Sequence, residues 1–482
     1  MYKRNIKQCI GLAVICLAIA SCKIPEVKQQ AENRSVPESF GNNTDTTKKD
    51  TTSMAAIQWR SFFTDSNLVN LIDTALKHNQ ELNITLQDIE ITKNDVRFRQ
   101  GQLSPTVGAR LGLGVEKVGR YTSQGAGDAT TEIAPGRETP DPLMDYSASV
   151  YANWEVDIWK KLHNAKKAAI THYLSSVEGK NFVLTNLITE VANSYYELLA
   201  LDNKLAIVQQ NITLQRNALE IVKIQKEATR VTELAVQKFR AEVLNSESLE
   251  FAIRQDITET ENKINFLLGR YPRPIQRDKG DFLKLMPALV HSGIPSQLLA
   301  NRPDIKQAEL ELAASKLDVK VARAEFYPSF GISAAFGLQA FKPSYFVKWP
   351  ESVLYSLAGD LAGPLINRNG IKAEFLSANS RQLQAMYNYE KTILNAYMEV
   401  SNQLSNIDNL SKSYELKSKE VDALAKSIDI SNDLFRSARA DYLEVLMTQR
   451  DALASKLELV ENKQQQLNAA VTIYRNLGGG WK

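Results

Sequence analysis

The chain is poor in the residues that build metal and disulfide sites. Of 482 residues only three are cysteine, Cys9, Cys16 and Cys22, and only four are histidine, His78, His163, His172 and His291. The histidines never stand at metal-ligand spacing and the cysteines all lie at the start, which excludes a zinc site and a disulfide framework in a mature chain. An excess of charge of one sign is missing too. Removing Lys3, Arg4 and Lys7 with the leader argued below takes the 58 Lys and Arg to 55, against 55 Asp and Glu, which argues against a nucleic-acid partner. The Gly-rich pieces do not follow GxxxxGK[ST], and no Ser/His/Asp or Cys/His constellation has supporting spacing. The expectation is therefore no enzyme, no cofactor and no metal. After the leader, no stretch approaches the roughly 18 uninterrupted apolar residues of a transmembrane helix. If the mature chain spans a membrane, it does so with strands.

What is present begins with Lys3, Arg4 and Lys7, followed by an apolar run from Ile10 to Ala20 and by Ile19-Ala20-Ser21-Cys22. That order is a signal peptide, 1–21. Small residues before a cysteine resemble the bacterial lipobox, which implies cleavage before Cys22 and its acylation; an ordinary secretory signal with an incidental cysteine is the alternative. From Lys23 to about Ala55 the residues are mostly Gln, Asn, Ser, Thr, Lys and Asp, the composition of a flexible tether.

Val177, Leu184, Val191, Leu198, Leu205, Ile212 and Leu219 are spaced by seven, a sustained coiled-coil seam. With no proline between Pro142 and Pro272, a helix from about His163 to Glu227 is expected, about 95 Å long at 1.5 Å per residue. The seam recurs 209 residues later as Met386, Ile393, Val400, Ile407, Tyr414, Val421, Ile428 and Phe435, and the same shift carries Leu268-Gly269 onto Leu477-Gly478. Earlier in each half the best shift is 223, pairing Leu82 with Ile305 and Pro105 with Pro328. The chain reads as a tandem repeat, 56–275 and 276–482.

Between the helices the period changes to two. Val107 to Val115, Ala148 to Ile158, Phe330 to Leu338 and Val353 to Leu361 alternate apolar with small or polar residues, giving two hairpins. The long connection, about Glu116 to Tyr146, against the short one, about Lys342 to Glu351, accounts for the change of shift. Such strands fit a membrane barrel, with Tyr121, Tyr146, Tyr345, Phe346 and Trp349 as interfacial aromatics, or equally a soluble sheet packed on helices. Four strands cannot close a lumen, so a barrel demands an oligomer.

The segment GIPSQLLANRPDIKQAELELAASKLDVKVARAEFYPSFGISAAFG, Gly293 to Gly337, resembles the signature of TolC-like bacterial outer-membrane efflux channels, lipoprotein branch. Trp59, Phe63, Asp65, Leu68, Ala75, Leu76 and Asn79, the run NWEVDIWKKLHNAKKAA, and the ending Leu477-Gly478-Gly479-Gly480-Trp481 support it. The resemblance implies a mainly α fold with membrane β. Long coiled-coil helices would form a periplasmic α-barrel, and each protomer of a homotrimer would give four strands to one twelve-stranded transmembrane β-barrel. It implies a lipid-anchored, barrel-spanning protein of the outer membrane. As a passive conduit it would pass small molecules from a periplasmic membrane-fusion adaptor and an inner-membrane RND-type pump to the exterior. Shorter helices are expected over about Asp65 to Gly101, Arg302 to Glu325, Thr232 to Leu268 and Asp441 to Asn476.

The adaptor-docking turns implied are Arg230, Val231, Thr232 and Leu234, and Arg439, Ala440, Asp441 and Leu443, with Thr232 and Asp441 where the family often has Gly. Alternatively these are capped helix ends, Thr232 and Asp441 being N-caps. Asp429 and Asp433, four apart on one helix face, are with Ile430 candidates for a periplasmic gate; a solvated outer face is the other reading. A periplasmic coiled-coil lipoprotein acting as spacer or adaptor shares the signal, tether and heptads, but not the paired hairpins or the LGGGW ending.

Overall fold

A computed structural model describes residues 24–27, 30–40, 53–278, 280, 282–288, 290–363, 368–437 and 439–481. Cys22 lies outside the described residues. The main helices are α1 (Ser66–His78), α2 (Gln80–Gly101), α3 (Lys161–Glu227), α4 (Glu233–Leu267), α5 (Pro303–Ala324), α6 (Asn369–Arg436) and α7 (Tyr442–Asn476). The strands are β1 (Thr106–Glu116), β2 (Glu132–Ala134), β3 (Arg137–Glu138), β4 (Leu143–Val156), β5 (Ser329–Ala340) and β6 (Val353–Ala362).

The order recurs in the two halves: a helix of 22 residues, two long strands, a helix of 67 or 68 residues, and one of 35. Sequence reading put a single helix over Asp65 to Gly101; the structure breaks it at Asn79. There the backbone is extended (φ −63°, ψ 128°), and Asn79 Oδ1 accepts the Leu82 N–H at 2.9 Å. Asparagine competes for backbone donors and so starts a new helix without glycine or proline.

Two compact units divide the chain. One contains Glu90–Leu174, Leu310–Tyr387 and the described residues before Glu32, and holds a four-stranded antiparallel sheet in the order β1-β4-β5-β6. The other contains Glu32–Ile89, Ser175–Glu309 and Asn388–Lys482 and is helical. Its core follows the heptads: Val191, Tyr195, Leu198 and Val208 of α3 and Val400 of α6 are fully buried. Leu201, Val208 and Ile212 of α3 pack with Ile253 of α4 and Leu453 of α7, so both halves share one core.

The expected flexible tether is corrected where it is described. In the sheet-bearing unit Ile24 and Val27 pack against Ala322, Phe326, Phe375 and Ala378. In the helical unit the Asn33 N–H donates to Glu390 at 2.8 Å, Arg34 pairs with Glu309 at 2.9 Å, and Phe40 stacks on Tyr397. Composition counted too few apolar residues for a core, but a strap needs only anchor points on a surface already built.

Candidate functional site

The sheet has two chemically different faces, and its register shows how they arise. Directly opposed residues share a face. On one, Ala109-Val150-Phe336-Tyr355, Leu111-Ala148-Leu338-Val353 and Val107-Ala152-Ala334-Leu357 run as apolar rows across all four strands. These side chains lie largely in the open: Leu111 is 88% and Leu357 79% exposed. Burying one such side chain is worth about 1.5–3 kcal/mol, so a belt of this size left in water would cost as much as a domain's whole stability. Its medium is hydrocarbon.

The opposite face carries Thr106-Asn153-Ser333-Ala358, Arg110-Ser149 and Gly112-Ser147-Gln339. Gln339 donates to Asp145 at 2.9 Å. Glycine makes room here, because a Cβ at Gly108 would come within 2.5 Å of the Tyr151 ring. Polar groups on one face and an apolar belt on the other are what a strand between lipid and a watery lumen requires.

Aromatics flank the belt at both ends. In the connection after β5, Tyr345 accepts from Arg137 Nη1 at 3.1 Å, Trp349 is exposed, and Tyr121 of the longer connection stands fully in the open. Sequence reading missed the second group. Trp154 donates its indole N–H to Leu103 O at 3.1 Å, and Trp159 stacks on Tyr327 and donates to Pro328 O at 2.7 Å. Their signal was available: Trp154 and Trp159 stand at the end of the β4 alternation, and Tyr327 adjoins Pro328, where β5 begins.

The two helix-to-helix turns sit where the repeat puts them. Between α3 and α4, Thr229 adopts φ +58°, and Arg230 N–H returns to Gln225 O at 2.9 Å. Arg230, Thr232 and Leu234 are exposed and Val231 half-buried. Between α6 and α7, Arg439 N–H bonds Leu434 O at 2.8 Å; Arg439, Asp441 and Leu443 are exposed and Ala440 half-buried. The packing under them is shared, since Val231, Phe435 and Tyr442 rest on a core of Val222, Val236 and Phe239. Thr232 and Asp441 do occupy N-cap positions, but neither side chain makes a capping bond. Glu233 pairs with Lys226 across the first turn instead. Asp429, Ile430 and Asp433 stand together on an exposed stretch of α6.

A two-faced sheet of two hairpins, and long heptad helices that recur in both halves, have known counterparts. A family model described as outer membrane efflux protein matches residues 71–270 and 294–479. The chain belongs to that family. Among its relatives, the pyoverdine export outer membrane protein OpmQ of Pseudomonas aeruginosa is 28% identical over 425 residues, 88% of each chain. The probable outer membrane lipoprotein SilC of Salmonella typhimurium is 25% identical, covering 96% of each. The structure of the Neisseria gonorrhoeae MtrE outer membrane channel in its open state superposes with a TM-score of 0.81 at 21% identity, covering 95% of this chain and 98% of that one. The fold is the TolC-like one. This outer membrane efflux protein is thus a channel of the outer membrane and the outer component of an export system, and the spacer or adaptor reading falls.

Proposed function

We propose that three copies of the chain close one barrel, and that this homotrimer receives small molecules from a periplasmic membrane-fusion adaptor coupled to an inner-membrane RND-type pump. The observation that carries the trimer is the pair of sheet edges. Among the described residues β1 and β6 each pair with one strand only, leaving a row of unpaired backbone groups beside an apolar belt. Each unsatisfied group in hydrocarbon costs several kcal/mol, so an open edge cannot stay in lipid. Pairing β6 of one copy with β1 of the next removes every edge, and three sheets of four strands make a barrel wide enough for a lumen.

On the same reading the chain comprises repeats at 56–275 and 276–482, and Cys22 carries the lipid. Ile24, two residues on, packs beside Phe326 just before β5, which suits an acyl chain entering the bilayer next to the barrel. The adaptor meets Arg230, Val231, Thr232 and Leu234, and Arg439, Ala440, Asp441 and Leu443. Asp429, Ile430 and Asp433 narrow the closed duct. OpmQ is named for pyoverdine export; here too the cargo is a small molecule, drug or toxic compound, chosen by the pump rather than gripped by the channel. The test is the mass of the protein extracted from outer membranes in mild detergent and corrected for bound detergent. Three chains per particle are expected; a soluble monomer that needs no detergent would overturn the reading.

A further inference from the structure

The helical unit contains a cavity of about 530 Å³ that the channel reading does not use. Met286, Pro287 and Val290 of the segment joining the halves form one wall, Ile407 and Tyr414 of α6 a second, and Lys463 and Ala470 of α7 a third. Most of the lined surface is apolar; Ser411, Glu415, Ser418, Lys419 and Gln466 also line it, and its one buried charge is Lys463. Lys463 is only 3% exposed, and its ammonium lies 4.8 Å from the centre of the Tyr414 ring. Among the described residues no carboxylate pairs with it. The nearby lining carboxylate, Glu415, is held by Lys419 at 2.6 Å.

A buried ammonium has three donors and no acceptor, and a ring face satisfies it only in part. Burial holds Lys463 below the usual lysine range. An isolated charge at the wall of an apolar cavity of ligand size is costly unless something negative completes it. We propose that this cavity binds an amphipathic carboxylate, its acid group on Lys463 and its apolar body against Met286, Pro287, Val290, Ile407 and Ala470. One positive charge asks for one acid group, and the apolar walls ask for a chain or ring system rather than a sugar or phosphate. Bound there, the ligand would tie the inter-repeat segment to the α6–α7 pair.

The test uses the full chain in a non-ionic detergent with decanoate as probe, followed by native mass spectrometry and by the shift in melting temperature. Chain stoichiometry is read in the same spectra, so failure of the site and failure of the trimer reading are separable. One saturable decanoate per chain is expected, with uncharged decanamide at least about tenfold weaker, the loss of one charge-assisted contact. Lys463→Met should weaken decanoate by a similar factor while Lys463→Arg restores part of it. Ser411→Trp, at the cavity's exposed side, should block binding without touching the charge, and Lys419→Met should leave it within about twofold. Equal binding by wild type and Lys463→Met, or no saturable binding by the folded wild type, would overturn the proposal.

Discussion

Asn79 and Arg302 hold equivalent carbonyls by different chemistry. Asn79 Nδ2 donates to Leu267 O at 2.9 Å, and Arg302 Nη1 donates to Asn476 O at 3.0 Å. The first members are 223 residues apart and the second 209, the two shifts that relate the halves. At each corner the last turn of a 35-residue helix is pinned to the start of a 22-residue one. The second corner is also charged: Arg302 reaches Asp304 at 2.7 Å and Glu399 at 2.8 Å while itself buried.

The glycine of each Leu-Gly pair makes the corner possible. Gly478 has φ +92°, and a Cβ on it would come within 2.6 Å of the Asn301 carbonyl; Gly269, at φ +66°, sits in the same way against His78 O. Gly478→Ala therefore meets both backbone strain and a backbone that cannot yield. A loss of at least about 1–3 kcal/mol is expected from the conformation alone. The check is a lowered melting temperature with less protein in the outer membrane. Gly370→Ala, in α6 with nothing near its Cβ position, should be neutral or slightly stabilising.

His172 supplies a pH-dependent pin within the sheet-bearing unit. Its ring stands 3.7 Å from Asp318 and 3.1 Å from Glu311, and the interaction first with Asp318, then with Glu311, raises its pKa from 6.5 to about 10. A raised folded pKa means that the stabilisation is complete below about 6.5 and fades as pH climbs through about 10. The side chain is partly exposed, so screening limits the gain to about 1 kcal/mol or less. His172→Gln should lower the melting temperature at pH 6 and make no difference above pH 10, the wild type and variant curves converging between. A gap that widened with pH would refute it.

The parts of this molecule that were legible in the sequence are those with a period. Seven-residue spacing located α3 to within a few residues and revealed α6 by its seam from Met386 to Phe435, though not its start at Asn369, and alternation located β1, β4, β5 and β6, because burial on one face is what writes both patterns. The corners were half legible. Leu268-Gly269 and Leu477-Gly478 were visible as a repeated pair, but their function depends on Asn79 and Arg302, about two hundred residues away in the chain and chemically unlike each other. The strap of Asn33, Arg34 and Phe40 was not legible at all, since isolated contacts on an existing surface leave no pattern. Nor was the Lys463 cavity, because a single lysine in a helix looks like any other until three segments close around it.

Leu244 and Phe251 of α4, seven apart, are both exposed, Phe251 to 72%. Two large apolar residues at heptad spacing on the outer side of a helix are an unfinished seam. In the trimer they are expected to be covered by the next copy. Phe251→Asp forfeits about 1.5–3 kcal/mol of burial at each of the equivalent contacts and adds a carboxylate. Detergent-extracted particles should shift from three chains towards one while helix content is kept. A variant that assembles as the wild type does would place this stripe outside the interface.

Asp429 and Asp433 offer the sharpest test of the gate, because the two readings of them predict different currents. Four apart on α6, they share a face, and Ile430 beside them is 59% exposed. If threefold symmetry brings that face to the lumen, the carboxylates form two stacked acidic rings at the constriction. Such rings concentrate cations and exclude anions, and Ile430 supplies an apolar collar between them. Replacing both with alanine should then raise single-channel conductance and lower the cation-to-anion permeability ratio in planar bilayers, with the trimer intact. Ile430→Ala should raise conductance with less effect on ion preference, since it changes width rather than charge. On a solvated outer face none of these currents would change, and Asp429→Ala with Asp433→Ala would leave both conductance and cation preference at the wild-type values.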